Sequence, residues 1–161
     1  MLASTGYEVV MAIHIMGVVI AFGWTFALPI VYLVAARQDP RSLPTLHKIE
    51  FTISRYLLNP TLVVILGAGI FLASDGHHWS EFFVQWGLGA IVVIAGVVGG
   101  VLMPGSRRAE TAARRDLASW NGEGEFQPGP EYRAIIQRLN VVGSLASGLV
   151  LVTILFMTIK P

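Results

Sequence analysis

Cysteine is absent from the 161 residues. Disulfides, thiolate haem ligation, cysteine-zinc sites and cysteine nucleophiles are therefore excluded. Charge is scarce as well: Asp, Glu, Lys and Arg make up 13% of the chain, against about 25% in soluble domains. The missing charge leaves four uncharged stretches, Val9–Ala36, Tyr56–Ser74, Phe82–Ser106 and Asn140–Ile159. Other signatures are missing too. There is no phosphate-binding glycine loop, no Ser-His-acid arrangement, no paired carboxylate within a stretch to carry protons or cations, and no nucleic-acid-binding fold in the basic segments.

What is present is apolar. Hydrophobic residues make up 54% and the mean hydropathy is +0.66. A helix needs about 20 apolar residues to cross a hydrocarbon core near 30 Å thick. The four stretches predict four spans, about 9–36, 56–74, 82–104 and 140–159, in one transmembrane domain covering 1–161. They do not alternate as the strands of a membrane barrel do. The expected fold is an all-α four-helix bundle in a lipid bilayer. The first span is not a signal peptide, because its flank "MLASTGYE" has no positive charge and its apolar run is too long.

The basic residues are distributed unevenly. Arg37, Arg41, Lys48 and Arg55 fall in the first connection. Arg107, Arg108, Arg114, Arg115, Arg133 and Arg138 fall in the third, which spans about 105–138. The second connection, "SDGHHWSE", has none, and Lys160 stands alone at the far end. The positive-inside rule puts the first and third connections in the cytoplasm and both termini outside, as in a multi-pass protein of a bacterial inner membrane. Within the third connection, "SRRAETAARRDLASW" spaces alanines three or four apart between arginines. That pattern fits an amphipathic helix on the inner membrane surface, or a solvated loop with some helix. "NGEGEFQPGP" follows as a linker, and Pro130 suits the first position of the last helix.

Small residues recur at close-packing spacing: Gly96 and Gly100, Gly143 and Ser147, Ser144 and Gly148. Such spacing lets helices approach in lipid and argues for a compact bundle. Asn140 and Ser144 are expected to hydrogen-bond across helices. Pro29 and Pro60 are expected to kink or end helical segments.

Chemistry centres on the histidines. His14 interrupts the run "MAIHIMGVVIAF" about 9 Å along the helix from Glu8. An ionisable group at that depth is a functional candidate facing the bundle interior, and imidazole is the commonest metal ligand. The competing reading is a neutral ring bonded to a serine or carbonyl of another helix. Gly17, Val18 and Ala21 share its face, leaving a gap for a flat ligand or a neighbouring helix. His77 and His78, in the outer loop, are the histidines able to join His14 in an iron site, although adjacent loop histidines are usually just solvated. His47 belongs to the opposite membrane face. Met11, Met16 and Met157 are thioethers near the outer side, and Trp24, deep in the first span, is a candidate pocket wall. Arg55 is positioned either to hold an anion or to snorkel to headgroups.

The order of motifs resembles a known group. "IHIMGVVIAFGWTFALPIVYL" carries an early histidine, a Gly-Trp pair and Leu-Pro; "RYLLNPTLVVILGAGIFL" carries an arginine, a proline and a glycine; the chain closes on "RLNVVGSLASGLVLVTILFMTIKP". Together these resemble the bacterial membrane proteins that include HemJ-type protoporphyrinogen oxidases and CopD-like copper-resistance proteins. The HemJ-type resemblance implies b-type haem with His14 as iron ligand. It also implies a functional lysine on the third helix, and "VQWGLGAIVVIAGVVGGVLM" has no lysine and no histidine. The missing lysine sets the chain apart from the protoporphyrinogen oxidases themselves, and the expectation is a relative within the wider group. It would be an oxidoreductase, if an enzyme, performing electron transfer or redox chemistry on a hydrophobic substrate. The alternative is a cofactor-free accessory subunit, alone, as a homo-oligomer or with a partner membrane subunit, whose basic loop docks a partner or lipid. Copper handling fits less well, because the outer methionines and histidines are few and scattered.

Overall fold

The computed structural model describes residues 2–122 and 124–160, and these form helices with no strand among them. Helix α1 spans Leu2–Gln38. At about 1.5 Å per residue its 37 residues reach roughly 55 Å, well past a hydrocarbon core. It stops where Pro40 pushes Asp39 into an extended conformation, φ −153° and ψ 102°. The Asp39 side chain then accepts from the Arg41 amide at 3.0 Å and starts a short 3₁₀ turn, Pro40–Ser42.

Two long rods follow. In the first, α2 (Leu43–Ile53) passes through a π-helical segment, Ser54–Leu58, into α3 (Asn59–Asp75). In the second, α4 (Phe82–Val97) passes through Val98–Leu102 into α5 (Met103–Ser119). Each π segment ends two residues before a proline, ahead of Asn59-Pro60 and Met103-Pro104. A proline has no N–H to donate and its ring crowds the carbonyl four residues back. Widening the preceding turn relieves that crowding without breaking the rod: the amides of Asn59 and Met103 reach the carbonyls of Ser54 and Val98. The two widened turns meet, with the Asn59 side-chain amide donating to Met103 Sδ at 3.2 Å. Pro29, by contrast, lies inside the uninterrupted α1. Helix α6 completes the chain from Pro130 to Ile159.

Four helical rods are long and apolar enough to cross a membrane: Gly6–Gln38, Pro40–Asp75, Phe82–Ser119 and Pro130–Ile159. Their outward side chains are apolar, Leu145 at 71% and Val63 at 70% exposed. Water would penalise that surface and lipid would not. The chain is thus an all-helical bundle of the multi-pass membrane type.

The bundle has two cores. At mid-height Ala21 and Phe22 of α1 pack with Leu62 and Ile65 of α3, Ile94 of α4 and Val150 of α6. At the arginine-rich end a second core joins Leu43, Ala109, Ala112, Ala113 and Tyr132. Most of the third connection is helical: its first part is α5, continuous with the third span. Its alanines are sealed against α2 and α6, Ala109 at 0% exposure. The arginines remain outside, where Arg114–Glu110 (2.8 Å) and Arg115–Glu131 (2.5 Å) are exposed pairs of small energetic weight. Of the expected 105–138 connection, only residues 120–129 are non-helical among those described.

Two packing expectations need correction. Gly96 and Gly100 do not bring helices of this chain together: both are exposed, and an added Cβ at either would meet nothing within 4 Å. Close approach occurs instead at Gly17, where a Cβ would come within 2.9 Å of Ile65 Cγ1, and at Gly105, where it would collide with Leu139. The gap beside His14 is thus filled on the Gly17 side by α3. Asn140 and Ser144 are exposed and make no hydrogen bond to another helix among the described residues. Their face of α6 points out of the bundle.

Candidate functional site

At the end of the bundle that holds the α3–α4 turn, helices α1, α3, α4 and α6 enclose a cavity of about 510 Å³. That is the size range of sites for small organic ligands and cofactors. Its lining is overwhelmingly apolar, and His14, His78 and Lys160 are the lining groups able to carry charge as cations; no Asp or Glu lines it.

His14 enters from α1. Its Nδ1 lies 3.0 Å from the Ile65 carbonyl oxygen of α3. A carbonyl only accepts, so Nδ1 is the donor and the neutral ring carries its lone pair on Nε2. The ring lies against Gly69, where an added Cβ would sit 3.4 Å from Cε1. Glycine there gives the imidazole room to reach Ile65. The competing reading is therefore half realised: one nitrogen is bonded to another helix. The other nitrogen has no hydrogen-bond partner among the described residues and belongs to a residue of the cavity wall.

The α3–α4 turn separates the two loop histidines. His77 takes a left-handed conformation, φ 56°, and is exposed, with Nδ1 3.2 Å from the Asp75 carbonyl. It does not line the cavity. His78 does, its amide bonded to the Ala73 carbonyl at 2.9 Å and its ring 6.1 Å from that of Phe83. The ring folds back over Gly76, whose missing Cβ would otherwise strike it. Met11 and Met157 also line the cavity, and Met157 occupies the space over Gly87.

Polar and aromatic contacts tie α4 to α6 beside the cavity. Trp86 Nε1 donates to Thr153 Oγ1 at 3.1 Å, and Thr153 donates to the Leu149 carbonyl at 2.8 Å. Phe82, Trp86 and Phe156 meet in tilted and edge-to-face contacts with centroids 5.1–6.1 Å apart. Trp24 is not part of the wall; its indole N–H is buried without a partner.

The donor set suits a planar macrocycle with one metal atom. It has one imidazole nitrogen held in a fixed tautomer, apolar walls for the ring faces and edges, and a second imidazole on the same cavity. It does not suit a bare metal ion. No group of three or more His, Cys, Asp or Glu close enough to hold one exists among the described residues.

A second polar centre lies at the opposite end, with no sequence signal to announce it. His47 is 1% exposed. Tyr32 donates to Glu50 Oε2 at 2.7 Å, so its oxygen accepts from His47 Nδ1 at 2.8 Å. His47 Nε2 then accepts from the Tyr132 hydroxyl at 2.9 Å. This closed relay ties α1, α2 and α6 together and satisfies every polar atom of the ring. It is far along α1 from His14, eighteen residues or about 27 Å, and is a structural junction.

No protein-family model, no curated protein and no solved structure matches this chain.

Proposed function

We propose that this protein is a bacterial inner-membrane b-type haem protein, with both termini outside, serving electron transfer or redox chemistry on a hydrophobic substrate. One observation carries the reading. The Ile65 carbonyl takes up His14 Nδ1 and leaves Nε2 as the free nitrogen of a residue lining an apolar cavity of about 510 Å³. Metal-ligating histidines are held in this way by an acceptor on the distal nitrogen, which fixes ring orientation and raises basicity. Haem bound there would supply a one-electron couple. The chain's own residues hold the imidazole, exclude water by their apolar walls and offer His78 as a second nitrogen.

Purified protein loaded with haemin is expected to bind one equivalent, with a Soret band and a dithionite-reduced α-band, and His14→Ala should lose both. A colourless preparation after haem-replete expression contradicts the reading. That outcome would favour the cofactor-free accessory subunit, which draws on the open, exposed face at Gly96 and Gly100, suited to close approach by a partner helix.

The orientation makes a separate prediction. Ser80 and Ser119 are exposed at opposite ends of the second rod and its preceding turn. In whole cells, Ser80→Cys should react with an impermeant thiol reagent and Ser119→Cys should not. The reverse pattern would invert the topology.

A further inference from the structure

Beyond iron ligation, the cavity has features that describe the rest of its ligand, on the reading that this cavity is the ligand site. Its wall is open on one side. Ile15 and Val19 of α1 and Ile154 of α6 line the cavity, yet they are 55%, 65% and 41% exposed. These side chains face the ligand space and the outer surface together, so the cleft between the first and last helices opens sideways at the level of the apolar spans. In a bilayer that opening faces acyl chains. The cavity is also long: its lining runs from Val150 to Lys160 along α6, roughly 15 Å at the helical rise.

Among the described residues, Lys160 is the one Lys or Arg on the cavity lining. Lys160 closes α6 in a left-handed conformation, φ 51° and ψ 58°, its amide bonded to the Phe156 carbonyl at 2.9 Å. From there the side chain crosses to α4, placing Nζ 5.7 Å from the centre of the Phe83 ring. A cation over a ring face keeps its N–H donors available. Lys160 is in none of the ion pairs among the described residues. Every other Lys and Arg lies in the first or third connection, at the opposite end. Glu8, Asp75 and Glu81 are the acids of the Lys160 end, and none lines the cavity. An apolar chamber whose rim carries one uncommitted ammonium selects an anion with an apolar body.

We propose that the cavity takes an amphiphilic carboxylate from the bilayer through the α1–α6 cleft, with the carboxylate held by Lys160 at the rim. The test uses metal-free protoporphyrin IX, a dicarboxylate, and its dimethyl ester, titrated against the full chain in zwitterionic lipid nanodiscs by tryptophan fluorescence quenching. The diacid should bind about tenfold more tightly than the diester, as expected for a charge-assisted contact. Lys160→Met should bring the diacid down to the diester's affinity, and Lys160→Arg should restore the difference. Lys160 is exposed at a helix end, so neither change threatens the fold. Equal binding of diacid and diester by the unaltered protein, or a diacid affinity indifferent to Lys160→Met, overturns the proposal.

The two readings fail separately. Lys160-dependent binding of the diacid alongside a haemin spectrum indifferent to His14 would retain this inference and defeat iron ligation. A His14-dependent haemin spectrum with no Lys160 or ester effect would do the opposite.

Discussion

Replacing His47 with alanine is expected to destabilise the protein by about 3 kcal/mol, combining an unpaired buried hydroxyl and a cavity. The loss is large because the ring is the centre of a closed relay. Without Nε2 the buried Tyr132 hydroxyl has no acceptor, and without Nδ1 the Tyr32 oxygen loses its donor, while Tyr32 still donates to Glu50. Tyr132→Phe removes only one end and should cost about 1 kcal/mol. The check is reversible unfolding in mixed micelles of the single variants and of the double variant. Since the two residues share one hydrogen bond, their effects should fall short of additive. A His47→Ala protein within 0.5 kcal/mol of the unaltered one, on that same scale of buried hydrogen bonds, would show that the relay does not hold this end of the bundle together.

Gly69→Val is the second large effect, and it falls on the ligand site rather than on stability. A Cβ at position 69 would already sit 3.4 Å from His14 Cε1, and the two methyl groups of valine would project further into the ring. A methyl directed at the ring is expected to push the imidazole off the Ile65 carbonyl. Losing the group that orients a metal-bound histidine typically weakens metal affinity 10- to 100-fold. Haem affinity should fall by that factor while helix content and thermal midpoint change little. Gly67→Val, two residues away on the other side of α3, where an added Cβ meets nothing within 4 Å, is the control and should leave affinity unchanged. Equal behaviour of the two variants would mean that the His14–Ile65 contact does not support binding.

The four spans are legible in the sequence because crossing a bilayer is a local property. Each helix satisfies its own backbone, so a run without charge suffices to reveal it. Where polar residues resume, hydropathy is silent, and packing decides instead. Helices α2 and α5 extend the second and third rods because Ala109, Ala112 and Ala113 can seal against Leu43 and Tyr132, a partner that their spacing alone does not name. The same gap explains the small-residue motifs: Gly96 and Gly100 permit a close neighbour without supplying one, whereas Gly17 has Ile65 against it.

At the site, His14 stands out as the one ionisable residue in its span. Its partner does not, since a backbone carbonyl carries no sequence label. Gly69 looks like any other small residue of α3 until the ring is seen against it. Lys160 reaches the cavity through a left-handed turn at the helix end, and His78 rather than His77 does so through the turn at Gly76. The relay around His47 draws on positions 32, 47, 50 and 132. His47 and Glu50 sit one turn apart on α2, but nothing local links them to Tyr32 and Tyr132; the topology that brings those chain segments to one end of the bundle does.

The central claim is that His14 Nε2 is the nitrogen presented to haem iron. Its most direct test is the spectrum of haem-loaded His14→Gly protein with and without added imidazole, beside the unaltered protein. The account predicts that the low-spin Soret and reduced α-bands vanish in the variant and return when free imidazole fills the space left by the side chain. Bands that persist unchanged in the variant, with no response to imidazole, would contradict it.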